Sequence, residues 1–182
     1  FRNFMGAVID ERALARIRSY LDLALSDPNC TVLAGGKVDD TQGFFVEPTL
    51  VETKDPEHRL MREEIFGPVL TAWVYPDAEY ERALELCDET SPYGLTGSFF
   101  ARDRAAIEKA KDVLRNAAGN FYVNDKPTGA VVNQQPFGGG RASGTNDKAG
   151  SLLNLVRWIS PRVVKETFVP PVTVPYPFMG ES

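Results

Sequence analysis

An α/β fold is predicted for this chain of 182 residues, and three observations predict it. Between Val69 and Val123, strand-like and helix-like stretches alternate with short connections. The two helical stretches each carry apolar residues at helical spacing behind an aspartate placed to cap them. At Asn124 the alternation stops, and a long segment rich in Gly, Asn, Gln and Pro begins.

The elements follow in order. After Val8-Ile9, Asp10 is positioned to cap a helix with Leu14, Ile17, Leu21 and Leu25 on one face, ended by Asp27-Pro28. Thr31 to Ala34 reads as a short strand closed by Gly35-Gly36. Asp39-Asp40-Thr41-Gln42-Gly43 reads as a turn before a second extended stretch, Phe44 to Thr53. An irregular segment, Met61 to Pro68, precedes a strand from Val69 to Tyr75. Asp77 then caps a helix carrying Tyr80, Ala83, Leu84 and Cys87, and Leu95 to Phe100 is the next strand. Asp103 caps a helix with Ile107, Ala110, Leu114 and Ala117 inward, and Phe121-Tyr122-Val123 is the third strand. This order predicts a parallel sheet with right-handed crossovers.

From Asn124 to Gly150 the chain is expected to lack regular structure, and such a segment is functional or disordered. In an open α/β sheet the loop after a strand's carboxyl end is where ligands bind. Ser151 to Trp158 reads as a short helix and Arg162 to Val169 as a final strand stopped by Pro170-Pro171. Pro175 and Pro177, flanking Tyr176, suggest an extended tail. The expected division is a body over 1–150 and a helix, strand and tail over 151–182.

With 43% hydrophobic and 25% charged residues, the composition suits one domain with its own core. A net charge of −5 and a pI near 5.0 argue against nucleic acid or an anionic membrane surface as partner. No apolar run approaches the roughly 20 residues that cross a bilayer. Phe1-Arg2-Asn3-Phe4-Met5-Gly6 has no feature of a signal peptide, and the chain is expected to be a piece of a longer one. Cys30 and Cys87 are the two cysteines, read as structural thiols in a reducing compartment. The one histidine, His58, sits in a charged loop, so neither a Cys–His pair nor a metal site is expected.

Three segments carry candidate chemistry. In Glu64-Ile65-Phe66-Gly67-Pro68, a carboxylate can accept from two adjacent ribose hydroxyls, and an aromatic two residues on can lie against a flat ring. Alone, it reads more plainly as a surface Glu, a core Phe and a turn. Pro136-Phe137-Gly138-Gly139-Gly140-Arg141-Ala142-Ser143-Gly144 lets backbone approach a ligand closely, or is simply a flexible loop. It fits neither the Walker nor the Rossmann phosphate pattern. Lys126-Pro127-Thr128-Gly129-Ala130 offers small residues whose N–H groups could hold a carboxylate, or is an ordinary surface turn.

Taken together and in this order, Glu-Ile-Phe-Gly-Pro, a strand ending in Asn124-Asp125, and Pro136-Phe137-Gly138-Gly139 followed by Ser143-Gly144 resemble the aldehyde dehydrogenase superfamily. Asn120 to Lys126, Thr128-Gly129, Gln134 to Gly139 and Arg141 to Lys148 further resemble the monofunctional Δ1-pyrroline-5-carboxylate dehydrogenases. Asn146-Asp147-Lys148 departs from the Gly-Pro-Lys typical of the bifunctional proline-utilisation flavoproteins.

The resemblance implies an NAD-dependent enzyme that oxidises L-glutamate γ-semialdehyde to L-glutamate in proline catabolism. It implies that Glu64 holds the nicotinamide ribose, that Phe66 packs near the nicotinamide and that Phe137 walls the substrate tunnel. Thr128, Gly129 and Ala130 would anchor the substrate carboxylate through backbone N–H groups. Some relatives have Ser where Ala130 stands, so here the anchor rests on backbone alone. The family's nucleophilic cysteine and general-base glutamate are expected upstream of Phe1. No catalytic residue is therefore assigned here, and the chain alone is expected to be inactive. The family's C-terminal strand pairs with a neighbouring subunit, which implies a homo-oligomer through Arg162 to Val169. Bacterial cytoplasm and mitochondrial matrix both fit. The other reading, from a different class, is an inactive fragment or remnant acting only in binding or assembly.

Overall fold

A computed structural model describes residues 4–170, 172, 174, 175 and 177–180. Helix α1 (Glu11–Ser26) starts where the Ala13 N–H donates to Asp10 Oδ1 at 2.7 Å, as its sequence predicts. It buries Leu14, Ile17, Tyr20, Leu21 and Ala24. Leu25 was expected inward but is 63% exposed, because the helical turn brings Ala24 under the apolar face instead.

That face packs on a three-stranded sheet in the order β1 (Cys30–Ala34), β4 (Thr49–Thr53), β5 (Val69–Trp73). Strand β1 runs antiparallel to β4, and β4 parallel to β5. Ile17 and Val51 are fully buried at the contact, and Thr49 and Thr53 alternate inward with Val51. The stretch predicted as one strand from Phe44 is two. β3 (Phe45–Val46) folds back on β2 (Val38–Asp39), and Pro48, which has no N–H for a ladder, separates β3 from β4. Gly35, at φ +72°, lets the turn pass so close to Pro48 that a Cβ would lie 2.2 Å from the Pro48 carbonyl oxygen.

After the short helix α2 (Arg59–Arg62) and β5, Asp77 does not cap α3 (Tyr80–Glu89). It lies within a 3-10 turn, Asp77–Glu79, that feeds the helix. Ala83, Leu84 and Leu86 face inward, and Cys87, expected among them, is exposed. Next come β6 (Tyr93–Gly94), β7 (Thr96–Phe99), α4 (Arg104–Val113) and β8 (Asn120–Val123), with β8 parallel to β7. Asp103 caps α4 by accepting from the Ala105 N–H at 3.0 Å. A second core gathers Leu84, Ala110 and Leu114, with Tyr80, Phe99, Val113, Ala117 and Phe121 against it.

Parallel pairing is thus present, but in two pieces. Strand β5 joins β4, and β7 joins β8, with no ladder between β5 and β7 among the described residues. Chain order predicts the direction of a crossover but not which sheet edge each strand meets. Beyond α5 (Leu152–Leu155) and a 3-10 turn at Val156–Trp158, residues 162–169 form no strand. A strand exists only with a partner ladder, and none lies beside them among the described residues. The predicted extended tail holds a 3-10 turn at Pro177–Gly180, and Tyr176 lies outside the described residues. So do Phe1, Arg2 and Asn3 of the segment read for a signal peptide. No described helix is long and apolar enough to cross a membrane.

Candidate functional site

The loop between α2 and β5 is pinned at two points and everted between them. Ile65 is buried in the first core, and Gly67 lies so close to Ile17 that a Cβ would meet Ile17 Cδ1 at 2.5 Å. Between these anchors Phe66 takes φ +58° and is 76% exposed. The left-handed backbone costs a side chain about 1–2 kcal/mol, so the anchors impose it. Phe66 is therefore not a core residue, against the plainer sequence reading of this segment, whose surface Glu and turn the structure does show.

The two adjacent glutamates have different lives. Glu63 Oε2 accepts from the Tyr20 hydroxyl at 2.6 Å and from Arg59 Nε at 2.8 Å. The Arg59 guanidinium lies 5.1 Å over the Tyr20 ring centroid. These donors, Tyr20 first, hold the Glu63 carboxyl below the usual carboxylate range, and Glu63 pushes the Tyr20 phenol up. Glu64 is exposed and has no hydrogen bond or ion pair among the described residues. With Phe66, Gly67, Val69 and Thr71 it lines a cleft of about 310 Å³. Thr71 keeps a buried hydroxyl there with no partner among the described residues.

The long segment after β8 is far more ordered than its composition predicts. β9 (Gly140–Arg141) pairs antiparallel with β6. Phe137 and Ala149 exchange backbone hydrogen bonds of 2.8 and 2.7 Å. Lys148 Nζ donates to the carbonyl oxygens of Gly119 at 2.6 Å and Gly138 at 3.2 Å. Arg141 holds Asp88 through its backbone carbonyl at 2.6 Å and its carboxylate at 2.5 Å. The glycines permit the approach: a Cβ on Gly119 would lie 1.9 Å from the Gly138 carbonyl oxygen.

Between this folded lariat and β8 stands the Lys126–Ala130 turn. Asn124, at φ +55°, ties its start to Ala101 through both side-chain atoms, at 2.9 and 3.0 Å. Gly129 has φ +73°, and the N–H groups of Thr128, Gly129 and Ala130 donate to nothing among the described residues. Thr128 lines an apolar cleft of about 740 Å³ together with Gly67, Pro68, Val69 and Leu70. The first and third candidate segments thus share a wall. Phe137, 39% exposed, lines neither cleft.

One constellation escaped the sequence reading. His58, 7% exposed, approaches Cys30 Sγ at 3.7 Å and Asp27 Oδ2 at 3.2 Å, although no base was expected near either cysteine. Asp27 meets Nε2, and Sγ lies nearer Nε2 than Nδ1, which is 4.0 Å from it; Nδ1 accepts the Leu60 N–H at 3.1 Å and so caps α2. A nucleophile–base–carboxylate relay needs its two partners on opposite ring nitrogens. Burial also pushes the Cys30 thiol up, away from thiolate. The cluster fastens α2, and through it the Glu64 loop, to the end of α1. Sequence spacing gave no signal for it, because the residues are far apart in the chain. No group of three or more potential metal ligands occurs among the described residues.

A family model described as "Aldehyde dehydrogenase family" matches residues 2–160. Among curated proteins, the mitochondrial delta-1-pyrroline-5-carboxylate dehydrogenase of Dictyostelium discoideum is 59% identical over 98% of this chain and 32% of its own length. The human mitochondrial protein of the same name is 57% identical over 93% of this chain and 30% of its own. The chain spans about a third of the length of these relatives. Among solved structures, the Mycobacterium tuberculosis delta-pyrroline-5-carboxylate dehydrogenase bound with NAD matches with TM-score 0.81 at 52% identity, over 98% of this chain and 32% of that one.

Proposed function

The chain belongs to the aldehyde dehydrogenase family, and we propose that the full-length protein carrying it oxidises L-glutamate γ-semialdehyde to L-glutamate with NAD. The observation that carries this reading is the Thr128-Gly129-Ala130 turn. Its unpaired N–H groups suit a carboxylate, the group that separates this aldehyde from uncharged ones. The names of the relatives, and the NAD in the solved neighbour, agree with it.

The residues present fit the nicotinamide end of NAD. Glu64 offers an unpaired carboxylate, Phe66 an everted ring, and Thr71 an unpartnered hydroxyl in the same cleft. Glu64 would accept from the two ribose hydroxyls, and Phe66 would lie against the flat ring and keep water from it. NAD, when bound, supplies the hydride acceptor. Gly129 and its neighbours would hold the far end of the substrate and fix the direction of the aldehyde. Phe137 would wall the path to it. The nucleophilic thiol is not placed on Cys30, whose surroundings disfavour thiolate, nor on exposed Cys87, whose thiol desolvation also pushes up.

Gly129→Val in the full-length protein tests the anchor. It adds a branched side chain at φ +73° and should raise KM for glutamate semialdehyde well above any change in KM for NAD. Equal changes in both would remove the anchor assignment.

The division at residue 150 is supported by exposure: both cores lie between Val8 and Phe121, and residues 155–170 are all exposed. In this reading, Arg162 to Val169 serves assembly. Val163, Val164, Phe168 and Val169 are 72–93% exposed, an apolar strip that a neighbouring subunit's strand would cover. A full-length protein that sediments as a monomer would contradict it. The compartment proposed is the mitochondrion or a bacterial cytoplasm, after the relatives' own settings, and fractionation of the source cells decides between them.

The second reading, an isolated chain without catalysis, rests on the environments of its two thiols. Turnover of glutamate semialdehyde by the 182-residue chain alone would overturn it.

A further inference from the structure

The side chain of Lys126 lies over the Gly129 turn. A Cβ placed on Gly129 would find Lys126 Cε at 3.9 Å and Nζ at 4.0 Å as its nearest neighbours outside the adjoining residues. The ammonium has no ion pair or hydrogen bond among the described residues. Its own backbone N–H is taken by Asp125 Oδ1 at 2.8 Å, and the Asp125 carbonyl accepts from the Ser98 hydroxyl, so the root of the side chain is held at the end of β8. Pro127 follows directly and restricts the turn further. An unpaired cation thus lies over the Gly129 turn, whose three N–H donors are also unpaired among the described residues.

We propose that Lys126 is a specificity-determining residue, its ammonium supplying the charge that selects a carboxylate-bearing aldehyde at the Gly129 turn. The proposal rests on the substrate reading above and deepens it. Backbone N–H groups donate to a carboxylate, but they also donate to neutral acceptors such as amide or ester carbonyls. A full positive charge does not treat these alike, because only the carboxylate gains Coulomb energy from it. Ala130 makes this sharper, since it contributes no side-chain hydroxyl to the anchor.

The experiment compares the full-length protein with its Lys126→Gln and Lys126→Arg variants at saturating NAD. The substrates are glutamate semialdehyde and propanal, which has no carboxylate. Lys126→Gln should lower the ratio of kcat/KM for the semialdehyde to that for propanal by about fivefold, the size of one exposed charge pair. The loss should fall on KM rather than kcat. Lys126→Arg should restore most of the ratio. The wild-type KM for the semialdehyde should rise with ionic strength, and that rise should flatten in the Gln variant. An unchanged ratio, or equal losses on both substrates with no rescue by Arg, overturns the proposal and leaves Lys126 as loop structure. If the wild type itself handles propanal and glutamate semialdehyde alike, the substrate reading falls first and the Lys126 proposal with it.

Discussion

Gly67→Ala tests how the Glu64–Phe66 loop is held. The new methyl would meet Ile17 Cδ1 at 2.5 Å and Cγ1 at 2.7 Å, against ordinary contacts of about 3.5–4 Å. Ile17 is fully buried, packed among Leu14, Leu21 and Val51, so it cannot swing aside. Relief must come from the loop lifting off α1, an overpacking cost of about 1–3 kcal/mol. Ile17→Ala alone leaves a cavity and costs about 2–5 kcal/mol. In the double variant the methyl added at Gly67 occupies part of that cavity and meets no side chain, so its cost should be smaller than the sum by about 1 kcal/mol or more. Urea unfolding of the full-length protein, both single variants and the double variant measures the cycle, and KM for NAD should follow the loop. Additivity within about 0.5 kcal/mol would refute the reasoning, because two residues in this contact cannot then be sharing one space.

The adjacent glutamates should separate cleanly. Glu64→Gln should raise KM for NAD about tenfold, the loss expected when a charged acceptor becomes neutral, with little change in unfolding. Glu63→Gln should do the reverse, lowering the unfolding midpoint at neutral pH. Because the folded Glu63 carboxyl lies below its ordinary value, its contribution is complete above about pH 4–5 and is lost as pH falls through the folded value. The stability gap between wild type and Glu63→Gln should therefore close in acid, and a gap that widens there would contradict the Tyr20–Glu63–Arg59 network.

Helices α1 and α4 were legible because their information is local. Asp10 and Asp103 each cap the helix that follows within three residues, and the apolar period then repeats. The same rule misled at Asp77, where Pro76 starts a 3-10 turn that displaces the helix start to Tyr80. What stayed hidden depends on distant pairs. The order in 136–149 comes from Lys148 reaching Gly119 and from Arg141 reaching Asp88, contacts that composition does not encode. That Glu63 is tied into the fold while Glu64 stays unpaired depends on Tyr20, which lies on another element. The Cys30–His58 contact was invisible for the same reason. The motif residues around Glu64 and Gly129 were legible as a pattern, but their sharing of one wall was not.

The separation of the two cores bears on how the site comes into being. One core draws only on residues from Val8 to Val69, the other only on Tyr80 to Phe121. Each closes within its own stretch of chain, so each can form without the other. The segment from Lys126 to Ala149 is hydrogen-bonded to elements of the second through Gly119, Gly94 and Asp88, and its Thr128 faces residues 67–70 beside the first, so it must wait for both. Pulse-labelled amide exchange during refolding should therefore protect the Val51 and Ala110 amides before those of Phe137 and Ala149. On that schedule the carboxylate anchor is the last part of the molecule to mature, and a newly made chain has its cores before it has any means of recognising a substrate.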